Sequence, residues 1–284
     1  MTDTQNVTLP TIAMLGAGSM GRAILSGLTA PGVEVTGGIR VTNRSAARAA
    51  ELEGIPGVTA FATEKDGAAN RLAVDGAAIV IVAVKPAMVP DLLREIASSL
   101  TPGAIVVSVA AGVTVATFES LLPDTVVVAR SMPNTPAVVG KAVTGISPGT
   151  RTEPADLELV RALFETVGEV VEVPESQLDA LSTISGSGPA YVFYLVEALT
   201  SAALEKGFTP EQARTLVNGT FLGASELLVA SGEDPAELRR RVTSPNGTTE
   251  RAIEVLATAD LPALFARATD AALARARELA APTP

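Results

Sequence analysis

From Thr11 to about Pro174 the chain repeats one pattern, and from Glu175 onward it abandons it. The runs "TIAML", "IRVT", "VTAFA", "AIVIVAV", "AIVVSVA", "TVVVAR" and "EVVEV" alternate with "SMGRAILSGL", "AARAAELE", "VPDLLREIASSL", "VATFESLL" and "DLELVRALFETV". Several of the short runs are apolar throughout, as in parallel strands covered on both faces. Strand–helix alternation of this kind predicts a doubly wound α/β domain over residues 1–174. After Glu175 the segments "YVFYLVEALTSAALEKG", "PEQARTLVNGTFLGASELLVASG", "AELRRRV", "TERAIEVL" and "ALFARATDAALARARELA" carry only the helical period, so residues 175–284 read as all-α. Gly207 and Gly232 are placed to end helices, and Pro210 and Pro235 to sit in first turns. The ends "MTDTQNVTLP" and "APTP" are expected to fray.

Composition removes whole classes of chemistry. The chain has 284 residues with no Cys and no His. Thiol catalysis, disulfides and the commonest general base are therefore absent, and no metal site is expected. The net charge of −10 argues against nucleic acid, whose phosphates demand Lys and Arg. No stretch of 18 apolar residues is free of breakers and charges, and the N-terminus lacks a basic segment followed by an apolar one. A cytoplasmic location without membrane contact is the expectation.

"TIAMLGAGSMG" places Gly16, Gly18 and Gly21 in G-x-G-x-x-G spacing after a strand and at the start of a helix, the context that makes the pattern meaningful. Gly16 allows the tight turn, Gly18 the approach of a pyrophosphate, and Gly21 close helix–strand packing. With Ala17, Ser19 and Met20 between them, these residues form a dinucleotide cradle, and the domain reads as Rossmann-type. The strand "IRVT" ends in Asn43, Arg44 and Ser45 with no carboxylate for a ribose, whereas Glu34 lies before that strand. Arg44 can pair with a 2′-phosphate, and Asn43 and Ser45 can hydrogen-bond to it, which favours NADPH while leaving NADH possible. The same residues also suit a helix cap at Ser45 with a solvated Arg44.

Later strands close in "VAVKP", "SVAAG" and "MPNTP", and ligands of such folds lie beyond the carboxyl ends of the strands. Val84, Lys85, Pro86, Ala110, Ala111, Gly112, Pro133 and Asn134 are candidate cofactor contacts. Lys85 reads equally well as a strand-end lysine in solvent.

"GAGSMG", "VAVKP", "SVAAG", "MPNTP", "SGSGPAY" and "SPNGTTERAIEVL", in this order, resemble the pyrroline-5-carboxylate reductase family over nearly the whole chain. Family members commonly carry "SPGG" where this chain has "SPNG"; Asn tolerates left-handed backbone angles, so the turn survives. The resemblance implies reduction of the ring C=N of 1-pyrroline-5-carboxylate to L-proline by NADPH. It also implies a helical domain that dimerises, dimers that assemble into rings, and an active site where the cofactor meets helices contributed by the dimer.

The chemistry of residues 244–249 agrees with that implication. A helix start offers unpaired N–H groups and a positive dipole end, enough to hold one carboxylate without an arginine. Ser244, Gly247 and Thr248 are the candidate carboxylate contacts, with the Thr249 hydroxyl directed at the ring nitrogen as the candidate catalytic group. Plain capping, with Thr248 as N-cap, is the alternative. Hydride addition to a protonated imine yields a neutral amine, so the missing histidine is no obstacle. Ser187 and Gly188 are expected to line the substrate pocket as well as to permit close helix crossing. Arg239, Arg240 and Arg241 are dispersed by the helical period and read as a solvated or ion-paired face. The competing readings are another NADP-dependent imine or β-hydroxyacid reductase, and a non-catalytic NADPH-binding sensor. The first typically uses a lysine in the helical domain, where only Lys206 is available; the second needs no substrate loop.

Overall fold

The computed structural model describes residues 7–280, so the expectation of frayed ends at 1–6 and 281–284 lies outside the described residues. In chain order the elements are β1 (Val7–Leu9), β2 (Ile12–Leu15), α1 (Ser19–Leu28), β3 (Val33–Val35), β4 (Ile39–Asn43), α2 (Ala46–Ala50), β5 (Val58–Ala62), α3 (Ala69–Val74), β6 (Ile79–Val82), α4 (Val89–Ile96) and β7 (Ile105–Ser108). There follow α5 (Val115–Leu121), β8 (Val127–Met132), β9 (Ala142–Pro148), α6 (Pro154–Glu165), β10 (Gly168–Glu172) and α7 (Glu175–Leu181). Five further helices complete the chain: α8 (Gly188–Glu205), α9 (Pro210–Ser231), α10 (Pro235–Arg241), α11 (Thr248–Ala257) and α12 (Leu261–Ala280).

Eight strands form one sheet in the order β10-β9-β8-β7-β6-β2-β4-β5. Every neighbouring pair is parallel except β8 and β9. The chain leaves β2 toward β4 and β5, then returns to β2's other side at β6, so the crevice between β2 and β6 is the switch point where such sheets bind ligands. Along β2 the side chains alternate between two cores: Ile12 and Met14 join the cluster with Ile24, Val160 and Phe164, while Ala13 and Leu15 join Leu93, Ile96 and Phe118. Burial on both faces explains why this run is apolar without interruption. Each fully buried Ile, Leu or Phe contributes about 1.5–3 kcal/mol.

Three strands were not expected from the sequence. Val7–Leu9, in the segment expected to fray, pairs with Val33–Val35 in a separate two-stranded parallel sheet. Glu34 therefore sits opposite Thr8 and not at the end of β4. Residues Ala142–Pro148 contain Gly and Pro and show no run of β-branched residues, yet they fill the slot between β8 and β10. Gly145 leaves room for α7: a Cβ there would lie 2.6 Å from Leu181 Cδ1, so the leucine side chain would have to shift. Helix α3, six residues long, is too short to announce a period.

The chain divides into two compact units, one reaching Ser187 and the other spanning Gly188 to Ala272, with the last residues from Leu273 grouped with the first. The segment 175–187 thus belongs to the sheet unit because α7 packs on β8 and β9. In the second unit α8 packs on α9, and the Tyr191 and Phe265 rings meet edge to face at 6.2 Å. Gly232 closes α9 in the left-handed conformation, and Pro210 and Pro235 occupy first turns. The unit buries few side chains: α8 has none, and α9 only Ala213 and Val217. Phe193 is 67% exposed, Tyr194 72% and Val229 80%, an apolar surface that lone chains rarely leave open. Among the described residues, no helix is long and apolar enough to cross a membrane, and no three metal-ligating side chains cluster.

Candidate active site

The glycine loop is built by backbone constraints from both neighbouring strands. Gly16 has φ +93°, and a Cβ there would lie 2.8 Å from Ala83 O beyond the end of β6. Gly16 N donates to Thr42 O at 3.0 Å, fastening the loop to β4. A Cβ on Gly21 would meet Gly16 O at 2.5 Å, so α1 starts this close to its strand only with glycine there. Around Gly18, by contrast, nothing lies within 4 Å of where a Cβ would be. Gly18 is the N-cap of α1, Ser19 beside it is exposed, and the first turn carries no acid. The N–H groups of Ser19, Met20 and Gly21 lack intrahelical partners, and no carboxylate of the first turn competes for them. An open approach at a positive helix end fits a pyrophosphate.

A cavity of about 470 Å³ opens beside this loop, lined among others by Gly16, Asn43, Arg44, Val84, Met88 and Asp91. Its far side includes Asn70 and Glu95, whose side chains are bonded to each other at 3.1 Å. Sequence reasoning missed Met88, Asn70, Asp91 and Glu95, which lie on helical segments carrying no ligand-binding motif. Arg44 is exposed, with Nη2 3.8 Å from Met88 Sδ, and is the cation of the cavity wall.

Asn43 and Ser45 are differently employed. Asn43 is buried; its Oδ1 accepts from Ala17 N at 3.3 Å and its Nδ2 donates to Arg48 O at 3.4 Å. It therefore ties the glycine loop to the end of β4. Ser45 caps α2 by accepting from Arg48 N. Glu64 Oε1 accepts from Ala46 N at 2.6 Å, two residues along the chain from Arg44.

At the remaining strand ends, Lys85 is exposed and its carbonyl accepts from Met88 N. Val84 lines the cavity, whereas Lys85 and Pro86 do not. Ala110 is buried, its N–H bonded to Ser108 Oγ at 3.2 Å, with Ala111 exposed beside it and Gly112 at φ +75°. Ser131 Oγ donates to Ser108 O at 2.8 Å, joining the carboxyl ends of β7 and β8. Pro133 and Asn134 are buried within the sheet unit. Ser187 N donates to Ser182 O at 2.8 Å, and Ser187 and Gly188 are half-buried.

Residues 244–247 form a tight turn in the helical unit. Gly247 N donates to Ser244 O at 2.9 Å, and Asn246 adopts φ +59°. A Cβ on Gly247 would lie 2.8 Å from Ser244 O. The N-cap of α11 is Gly247, so Thr248 is the first helical residue and not the cap. That shift makes Glu250 the third residue of the helix, where it reaches back to accept from Asn246 N at 2.8 Å. The N–H of Gly247, a candidate carboxylate donor, is thus used by the turn itself. The N–H groups of Thr248, Thr249 and Glu250 are the ones left without intrahelical partners. Ser244 and Thr248 are exposed and Thr249 is half-buried.

Two family models match the chain. Residues 175–279 match the model described as pyrroline-5-carboxylate reductase dimerisation, and residues 11–112 match the one described as NADP oxidoreductase, coenzyme F420-dependent. A pyrroline-5-carboxylate reductase from Corynebacterium melassecola is 38% identical over 274 residues, covering 95% of this chain and 99% of that protein. The structure of a pyrroline-5-carboxylate reductase from Coxiella burnetii superposes with a TM-score of 0.88 at 36% identity, covering 99% of this chain and 100% of the other. The Plasmodium falciparum pyrroline carboxylate reductase, solved with NADP bound, shares the fold at a TM-score of 0.80 and 22% identity, over 95% of this chain and 98% of that one. With both regions matched and more than a third of residues identical across almost its entire length, the chain belongs to the pyrroline-5-carboxylate reductase family.

Proposed function

We propose that this chain reduces the ring C=N of 1-pyrroline-5-carboxylate to L-proline, the last step of proline synthesis, with NADPH as the preferred donor. The observation that carries the reading is the pair of helix starts, at Gly18 and at Gly247, each with N–H groups left without intrahelical partners, in a chain without His or Cys. One suits a pyrophosphate and the other a single carboxylate.

Each group has a stated task. The α1 N–H groups hold the pyrophosphate, and Arg44, with the Ser45 hydroxyl as a donor, holds a 2′-phosphate. The N–H groups of Thr248 and Thr249 and the Ser244 hydroxyl bind the substrate carboxylate through charge-assisted bonds of about 1.5–3 kcal/mol each. Gly247 shapes the turn, and Thr249 Oγ1 orients the ring nitrogen. The reduced nicotinamide supplies the hydride. Because the imine enters protonated and leaves as a neutral amine, no side-chain acid has to release a proton. Orientation and exclusion of water supply the rate enhancement.

The helical unit works as a self-association module in this reading. Phe193, Tyr194 and Val229 provide the apolar faces that a second copy covers, and the family model over 175–279 carries the same description. The test is to mix the purified protein with NADPH and pyrroline-5-carboxylate and follow the absorbance of the reduced nicotinamide. Oxidation that depends on the imine supports the assignment. Its absence, with NADPH still bound, points to a sensor or a different imine.

A further inference from the structure

Asn134 lies two residues beyond the end of β8 and is 6% exposed, with both ends of its amide engaged. Its Oδ1 accepts from Val143 N and its Nδ2 donates to Ser185 O, each at 2.9 Å. Only this orientation of the amide satisfies a donor on one side and an acceptor on the other.

Ser185 belongs to a single π-helical turn, Ser182–Gly186, between α7 and α8. Such turns recur at functional sites because they displace the residues that follow. Continuing a helix would require the N–H of residue 189 to reach Ser185 O, and residue 189 is Pro, which has none. Asn134, just beyond the end of β8, supplies a side-chain donor to this carbonyl. The next residues after the turn are Ser187 and Gly188.

We propose that Asn134 is a positioning residue for the substrate pocket and not a cofactor contact: by holding Ser185 O where Pro189 cannot, it fixes the turn that delivers Ser187 and Gly188. This rests on the assignment of those two residues to the substrate side in the reading above. The segment is anchored at its other end as well, since Glu175 and Asp179 of α7 pair with Arg130 on β8. Residues 175–186 are therefore held at two points, by Arg130 on β8 at one end and by Asn134 just beyond that strand at the other.

The test is Asn134→Asp, which keeps an acceptor for Val143 N but offers Ser185 O a carboxylate in place of a donor. Substrate KM should rise roughly tenfold to a hundredfold, as for a displaced positioning group. The Kd for NADP⁺, read by calorimetry, should stay close to that of the wild type. Asn134→Ala, which removes the donor without burying a charge, is the companion variant should the first not fold. An unchanged substrate KM, or a loss of NADP⁺ affinity as large as the KM effect, overturns the proposal. So does failure of both variants to fold, which would make Asn134 a stability element. A wild type that does not oxidise NADPH with pyrroline-5-carboxylate removes the functional reading instead, so the two failures are separable.

Discussion

Arg130 Nη1 donates to Glu175 Oε1 at 2.9 Å across 45 residues of chain, joining strand β8 to the first turn of α7. The arginine side chain is 7% exposed, and the same carboxylate oxygen accepts from Val115 N at 2.7 Å. One side chain thus gathers a strand and two helices, with Asp179 as a second, longer partner at 3.7 Å. Removing Arg130 leaves two partly buried carboxylates facing each other. Arg130→Ala is expected to destabilise the sheet unit by about 3 kcal/mol, toward the low end for buried pairs because both acids are partly solvated. Chemical denaturation of the two proteins measures this, and a loss below 1 kcal/mol, roughly that of a surface pair, contradicts it.

The glycine loop separates stability from binding. A Cβ on Gly18 meets nothing, whereas one on Gly21 meets Gly16 O at 2.5 Å. Gly18→Ala should therefore unfold like the wild type while losing roughly tenfold or more in dinucleotide affinity, since the added methyl stands where the pyrophosphate approaches. Gly21→Ala should lose both. Thermal unfolding and NADP⁺ titration of each variant distinguish the two outcomes.

The role proposed for Arg44, the cation of the cavity wall, is to read the 2′-phosphate of the cofactor. Arg44→Ala should raise the KM for NADPH by about tenfold to a hundredfold, the equivalent of one charge-assisted pair, and leave that for NADH nearly unchanged. Equal changes for both donors would show that Arg44 does not read the 2′-phosphate.

Thr249→Val keeps the shape of the side chain and deletes the hydroxyl. Substrate KM should rise and kcat should fall, with NADPH binding unaffected. Unaltered steady-state kinetics would remove Thr249 from the mechanism.

Glu237 accepts from Arg240 at 2.7 and 2.8 Å and from Arg241 at 3.0 Å, and these bonds hold its carboxyl below the usual glutamate range, Arg240 contributing most. A carboxyl depressed on folding adds stability above its unfolded pKa and loses it as pH falls through the folded value. Helix α10 should accordingly keep its ion pairs at mildly acidic pH and fray only below the normal glutamate range. Titration of the Glu237 carboxyl carbon by NMR checks this, and added salt should diminish the shift.

Much of the fold was legible because its causes are local. The all-apolar runs at Ile12–Leu15 and Ile79–Val82 read as strands buried on both faces and are so, and Ser19–Leu28 begins where the glycine spacing places a helix. The ion-paired face at Arg240 and Arg241 followed from the helical period. Ala142–Pro148 was not legible, since a strand containing Gly and Pro exists only because two neighbours offer it a ladder. The start of α11 was misplaced by one residue, and with it the role of Glu250, because Thr and Gly both suit a cap.

By itself the sequence determined the glycine turn between β2 and α1, the two kinds of unit and the family, because glycine spacing and hydrophobic period act through backbone sterics and burial within a few residues. Only the tertiary structure decided what the buried polar side chains do. Asn43 and Asn134 read alike as ligand contacts, yet each is committed to backbone groups far along the chain: Asn43 to Ala17 N, Asn134 to Ser185 O. A buried amide bonds whichever unpaired group folding brings within about 3 Å, and no local pattern encodes that meeting.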